Sequence, residues 1–180
     1  MTTADHTPGI VGNPPAAPVK LLWADEDATR AFARRLAAAP EIRHAFIALH
    51  GDLGTGKTTF VRHLLHALGV AGRIKSPTYA VVEPHEARGP DGAWEAWHFD
   101  FYRFDDPREW DDAGFRDIFA SPGLKLAEWP EKAAGMLPDA DLDISLEVDE
   151  FDVRHVAITA GTATGALLLH KSVEPGNPLA

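Results

Sequence analysis

The run Gly51-Asp52-Leu53-Gly54-Thr55-Gly56-Lys57-Thr58 constrains this chain more than any other feature. It fits the phosphate-binding pattern G-x-x-x-x-G-K-[ST], and its flanks are the ones that pattern needs. Ala45-Phe46-Ile47-Ala48-Leu49-His50 precedes it as a short apolar run, predicting a buried strand. Val61, Leu64, Leu65 and Leu68 follow at helical spacing. Strand, glycine loop and helix together aim backbone N–H groups and a helix N-terminus at one point, where an anion is favoured. Glycines keep Cβ atoms out of that concavity. Lys57 can then reach β- and γ-phosphates, and Thr58 can offer its hydroxyl to Mg²⁺.

The rest of the chain supplies a single core around this unit. At 180 residues, 45% of them hydrophobic, it suits one soluble domain. Twenty-seven acidic residues against 17 basic give a net charge of −10, which argues against an extended nucleic-acid-binding face. Cysteine is absent, excluding disulfides, thiol catalysis and thiolate metal sites. No apolar run reaches membrane-spanning length and no leader pattern opens the chain, so a cytoplasmic protein is expected.

Residues 1–19, with Pro8, Pro14, Pro15 and Pro18, read as a disordered tail. Residues 20–171 read as the folded domain and 172–180 as a loose end. Lys20 to Trp23 suits a short strand. Asp25 stands as N-cap to a helix carrying Ala28, Phe32 and Leu36, and Pro40 ends it. Turn residues from Ala87 to Gly92 predict a hairpin into a strand over Trp94–Phe99, closing on Asp100. Short helical pieces fill 105–120. Leu124 to Ala127 predicts a strand closing on Glu128. Alternating patterns at 142–148 and 153–159 predict an antiparallel pair, followed by a helix over 163–170. The fold class is therefore α/β: a single P-loop NTPase domain with a mixed parallel and antiparallel sheet flanked by helices.

Turnover by such a loop needs acids at strand ends, beside the metal and the attacking water. Asp100 and Glu128 are the candidates, both following apolar strands whose carboxyl ends should open beside the loop. Ser76-Pro77-Thr78-Tyr79 follows the loop's helix and suits a hydroxyl-rich switch that senses the γ-phosphate. Lys75 and Arg103 are the further cations placed by sequence to approach phosphates. His63 and His66 share a helix face without an acidic neighbour in sequence, and read as surface residues. Asn13 and Asn177 are each followed by Pro, so the Asn-Lys-x-Asp guanine-reading element is missing and ATP is favoured.

Four segments occur in order: Gly51 to Phe60, Lys75-Ser76-Pro77-Thr78-Tyr79, His98-Phe99-Asp100-Phe101-Tyr102-Arg103, and Glu128-Trp129-Pro130-Glu131. Together they resemble the TsaE (YjeE) family, bacterial ATPases of tRNA threonylcarbamoyladenosine biosynthesis. The resemblance runs from about Lys20 to His170. It implies a weak P-loop ATPase that acts on the threonylcarbamoyl transferase complex, with TsaD- and TsaB-type partners. That complex modifies adenosine 37 of tRNA, and contact with tRNA would be indirect. It implies ATP and Mg²⁺ as cofactors. Asp52, Leu53, Gly54, Thr55, Gly56, Lys57, Thr58 and Thr59 would bind the nucleotide, and Thr58 and Glu128 the metal. Lys57 and Asp100 would be catalytic, Asp100 as the acid near metal or water. Ser76, Pro77, Thr78 and Tyr79 would form the switch-like loop, with Trp129 beside the site. Two other readings remain open on the residues alone: a small-metabolite P-loop kinase, which would need an arginine-bearing lid, and a binding module whose ATP site only gates assembly.

Overall fold

A central trio of parallel strands carries the site in the computed structural model, which describes residues 17–173. These strands are β2 (Phe46–His50), β4 (Gly92–Asp100) and β5 (Leu124–Glu128), alongside β1 (Val19–Trp23), β3 (Val82–Gly89), β6 (Leu142–Val148) and β7 (Arg154–Ala160). The sheet order is β1-β7-β6-β2-β5-β4-β3. Strand β2 lies parallel to β5 on one side and β6 on the other, and β4 runs parallel to β5. The flanks are antiparallel: β3 with β4, β6 with β7, and β7 with β1.

The parallel centre is buried on both faces, and its sequence explains why. Strand β5 is buried at every position, and β2 at every position but His50. Such strands lack polar alternation because helices cover both sides. Ile47, Leu49, Leu124, Leu126 and Ile144 face α1 (Glu26–Ala37), α2 (Lys57–Ala67) and α5 (Ala163–Val173) in one core. Phe46, Ala48, Phe99 and Ala127 face the other way, into an aromatic layer with Phe101, Trp110 and Phe115. That second layer is carried by α3 (Pro107–Asp112) and α4 (Phe115–Ala120).

Local signals set the boundaries. Asp25 caps α1, its Oδ1 accepting from the Ala28 amide at 2.8 Å, and Phe32 and Leu36 are fully buried below it. The predicted hairpin forms around Pro90 and Asp91, but its strands are longer than expected, eight and nine residues. The expected antiparallel pair is β6 and β7; β6 also joins the parallel centre through β2, a long-range pairing absent from the local pattern.

The tail expected over residues 1–19 lies outside the described residues up to position 16, and Val19 already begins β1. At the other end, α5 continues to Val173, two residues past the expected boundary. Ser172 is buried, and its carbonyl accepts from Arg35 Nε at 2.8 Å, which ties α5 to α1. Residues 174–180 lie outside the described residues.

Candidate functional site

The phosphate-binding loop leaves β2 at its carboxyl end and turns directly into α2. Gly51 requires its lack of side chain: at φ +131° a Cβ would sit 2.3 Å from the Leu146 carbonyl oxygen. Gly56 takes φ +104° as the residue before α2, leaving the first-turn amides pointing outward. Beside them opens a cleft of about 310 Å³. Leu53, Gly54, Gly56, Lys57, Thr58 and Thr59 line one wall, and Ser76, Thr78, Asp100, Tyr102, Glu128 and Trp129 the other.

Four of the eight sequence-predicted nucleotide residues carry side chains into this cleft: Leu53, Lys57, Thr58 and Thr59. The two glycines contribute backbone. Asp52 and Thr55 fall outside the cleft lining and shape the loop from behind: the Thr55 hydroxyl donates to the Asp52 carbonyl at 2.9 Å. Lys57 folds back over the loop, donating to the carbonyls of Gly51 at 2.6 Å and Asp52 at 2.8 Å. Its ammonium also lies 4.1 Å above the Trp129 ring. Burial pushes the Lys57 pKa down, against the opposing pull of Glu128, Glu131, Asp100 and Asp52.

Asp100 and Glu128 end adjacent parallel strands in register, so both acids emerge at one edge. Their settings differ. Thr58 Oγ1 donates to Glu128 Oε2 at 2.8 Å, which joins the loop's helix to β5. The other oxygen, Oε1, accepts from His98 Nε2 at 2.8 Å, a pair buried on both sides. Asp100 is held by the expected switch loop: its Oδ2 accepts from the Ser76 hydroxyl and from Thr78 Oγ1 at 2.9 Å, and Oδ1 from the Tyr102 amide at 2.9 Å. Within that loop, Pro77 is buried and Tyr79 is exposed. The loop closes on Val81, a β-branched residue at φ +65°, whose carbonyl accepts from the Asp100 amide at 2.8 Å. Trp129 follows Glu128 at φ +58°. Each acid is thus adjoined by a residue in a strained backbone conformation.

The residues present fit Mg²⁺. Among the described residues no cluster of three or more His, Cys, Asp or Glu could form an all-protein cage. None is needed, since Mg²⁺ beside a polyphosphate keeps waters and phosphate oxygens and takes one or two protein groups. Glu128 Oε2 and Thr58 Oγ1, 2.8 Å apart, could serve as such a pair.

The structure does not bring every expected cation to the cleft. Lys75 and Arg103 are exposed and absent from its walls; the Arg103 guanidinium lies 4.6 Å above the Tyr79 ring instead. His63 has an acidic neighbour that its own segment did not reveal, Glu26 Oε1 at 2.9 Å. Tyr102, His98 and His50 escaped the sequence reading as site residues. Tyr102 packs 5.1 Å from the Trp129 ring at the cleft wall. His50, at the foot of the loop, pairs with Asp143 at 2.9 Å and Glu131 at 3.5 Å; the Asp143 bond raises its pKa, burial opposing. Both His98 and Tyr102 stand in the His98-to-Arg103 segment, so the signal was present without its geometry.

A family model described as threonylcarbamoyl adenosine biosynthesis protein TsaE matches residues 23–156. This chain belongs to the TsaE family. Among its relatives is the tRNA threonylcarbamoyladenosine biosynthesis protein TsaE of Haemophilus influenzae, 41% identical over 117 residues, or 65% of this chain and 71% of that one. The Bacillus subtilis TsaE is 33% identical over 114 residues, covering 63% and 68%. The fold agrees as well: a crystal structure of YdiB from Bacillus subtilis superposes with a TM-score of 0.67 at 25% identity, over 86% of this chain and 93% of that one. Like these TsaE relatives, the chain has its role in tRNA threonylcarbamoyladenosine biosynthesis. Among the described residues, no helix is long and apolar enough to cross a membrane.

Proposed function

We propose that this TsaE protein is a cytoplasmic, Mg²⁺-dependent ATPase that serves the complex transferring threonylcarbamoyl groups to adenosine 37 of tRNA. The supporting observation is the Thr58–Glu128 contact at 2.8 Å, which joins the phosphate loop to an acid on the neighbouring strand. Loop amides from Gly54 to Thr59 would grip the β- and γ-phosphates, aided by the N-terminus of α2. Lys57 would exchange its carbonyl partners for phosphate oxygens and offset the charge that builds there during transfer. Thr58 and Glu128 would hold Mg²⁺, which supplies further charge stabilisation to the γ-phosphoryl group.

Asp100 would orient the attacking water through Oδ1, which accepts only one N–H. As the water oxygen bonds to the γ-phosphorus and its proton passes to Asp100 and on to solvent, the bond to the β-phosphate oxygen would break, and ADP and inorganic phosphate would leave. Ser76 and Thr78, tied to the same acid, would register that departure and pass it to a partner through the exposed Tyr79. The acidic balance of the chain suits docking on TsaD- and TsaB-type proteins, with tRNA held by them. Reconstitution with the transferase components and tRNA tests this reading. Repeated cycles of modification should require this chain and an intact Lys57; equal cycling with Lys57→Ala would refute it.

A further inference from the structure

His98 has no role in the chemistry above, yet it is the one fully buried histidine of the described residues. It stands on β4 two residues before Asp100, opposite Leu126 on β5, so its ring reaches forward to Glu128 across the strand pair. A carboxylate only accepts hydrogen bonds, so the 2.8 Å contact requires the proton on His98 Nε2. The second ring nitrogen, Nδ1, is buried without a protein partner. An unpartnered buried nitrogen is unfavourable, and an apolar side chain would fill the same space without that cost. Packing alone therefore does not account for a histidine here.

The carboxylate does. A glutamate's terminal torsion is broad and nearly two-fold, so a carboxylate held at one oxygen can swing or swap its oxygens. Glu128 is held at both: His98 takes Oε1 inside the sheet, and Oε2 is left facing Thr58 at the cleft. We propose that His98 is a positioning residue for Glu128, fixing the carboxylate so that one chosen oxygen is presented to the divalent cation of a bound Mg²⁺–nucleotide. This inference rests on the metal role of Thr58 and Glu128 proposed above. It separates the buried edge into two layers, one that touches the metal and one that aims the group that does.

The test uses the full chain, a non-hydrolysable ATP analogue, and Mn²⁺ as a probe read by electron paramagnetic resonance. His98→Leu should weaken Mn²⁺ binding to the nucleotide-bound protein by about 10- to 100-fold. Analogue binding in EDTA should stay within about twofold of wild type, since the loop itself is untouched. His98→Gln, which can return an N–H donor, should recover most of the metal affinity. His98→Asn, one carbon shorter, should not. Melting curves check folding; if the Leu variant fails to fold, the Gln and Asn pair carries the comparison.

Wild-type Mn²⁺ affinity in His98→Leu or His98→Asn would overturn the proposal. So would equal losses with and without metal, or a Gln variant no better than Asn. Failure of the underlying reading looks different: wild-type protein would then take up the analogue without any gain from Mn²⁺, and the positioning role would fall with it.

Discussion

The two acids at the carboxyl edge of the sheet, one strand apart and in register, are held in opposite ways. Glu128 is gripped by regular structure: His98 on β4 and Thr58 in the first turn of α2. Asp100 is gripped by the segment from Ser76 to Val81, which lies between α2 and β3. Rigid partners suit the role proposed for Glu128, whose oxygen would meet a metal at fixed distance. Loop partners suit the role proposed for Asp100, whose bonds would break and reform as a phosphate comes and goes. Positive-φ strain does not separate the two sides, since Val81 adjoins Asp100 and Trp129 adjoins Glu128; what differs is the kind of element that holds each acid. The difference teaches that neighbouring carboxylates of one edge can be held by regular structure on one side and by a loop on the other, which is the division the proposed roles need.

The largest effect should come from Lys57, whose ammonium lies within the electrostatic reach of both acids. Lys57→Ala should lower ATP turnover by at least about 10²-fold, measured as phosphate release. Folding should persist, because removing a partly desolvated ammonium also removes a cost. Turnover at the wild-type rate would break the account on both sides at once.

Next, Glu128→Gln should weaken divalent-cation binding to the nucleotide complex by about 10- to 100-fold, by calorimetry with and without Mg²⁺. The segment 75–81 should keep its amide protection in hydrogen exchange. Asp100→Asn should do the reverse. The amide offers one acceptor oxygen where the carboxylate uses two, so either the Tyr102 N–H or the Ser76 and Thr78 hydroxyls lose theirs, and exchange across 75–81 should quicken several-fold while metal affinity stays within about twofold. Two variants that shift both measurements alike would erase the distinction.

The smallest effect concerns pH and the rigid side. Asp143 raises the His50 pKa above its ordinary 6.5 in the folded state. Its stabilising contribution is therefore full below the unfolded value and lost as pH rises through the raised folded value. Melting temperature followed between about pH 5.5 and 8 should fall relative to a His50→Gln variant as that range is crossed. A constant difference would remove His50 from the account.

Much of this edge was legible in the chain because its parts are local. The glycine loop, the helix behind it, and two apolar strands each closing on an acid are all contiguous patterns. The pairing of His98 with Glu128 was not, since it spans 30 residues and depends on β4 and β5 being neighbours, which no local pattern states. The same holds for β1, placed at the far edge by its pairing with β7. Lys75 and Arg103 show the converse. They stand next to site segments in sequence, but their side chains leave the cleft, since sequence adjacency at a loop does not fix direction.

Calorimetric titration of ATP into the folded protein, with Mg²⁺ and then with EDTA, tests the central claim most directly. The account predicts saturable binding at one site, tighter with Mg²⁺, and loss of that metal gain in Glu128→Gln. Binding that ignores Mg²⁺, or no uptake of adenine nucleotide by protein with an intact melting transition, would contradict it.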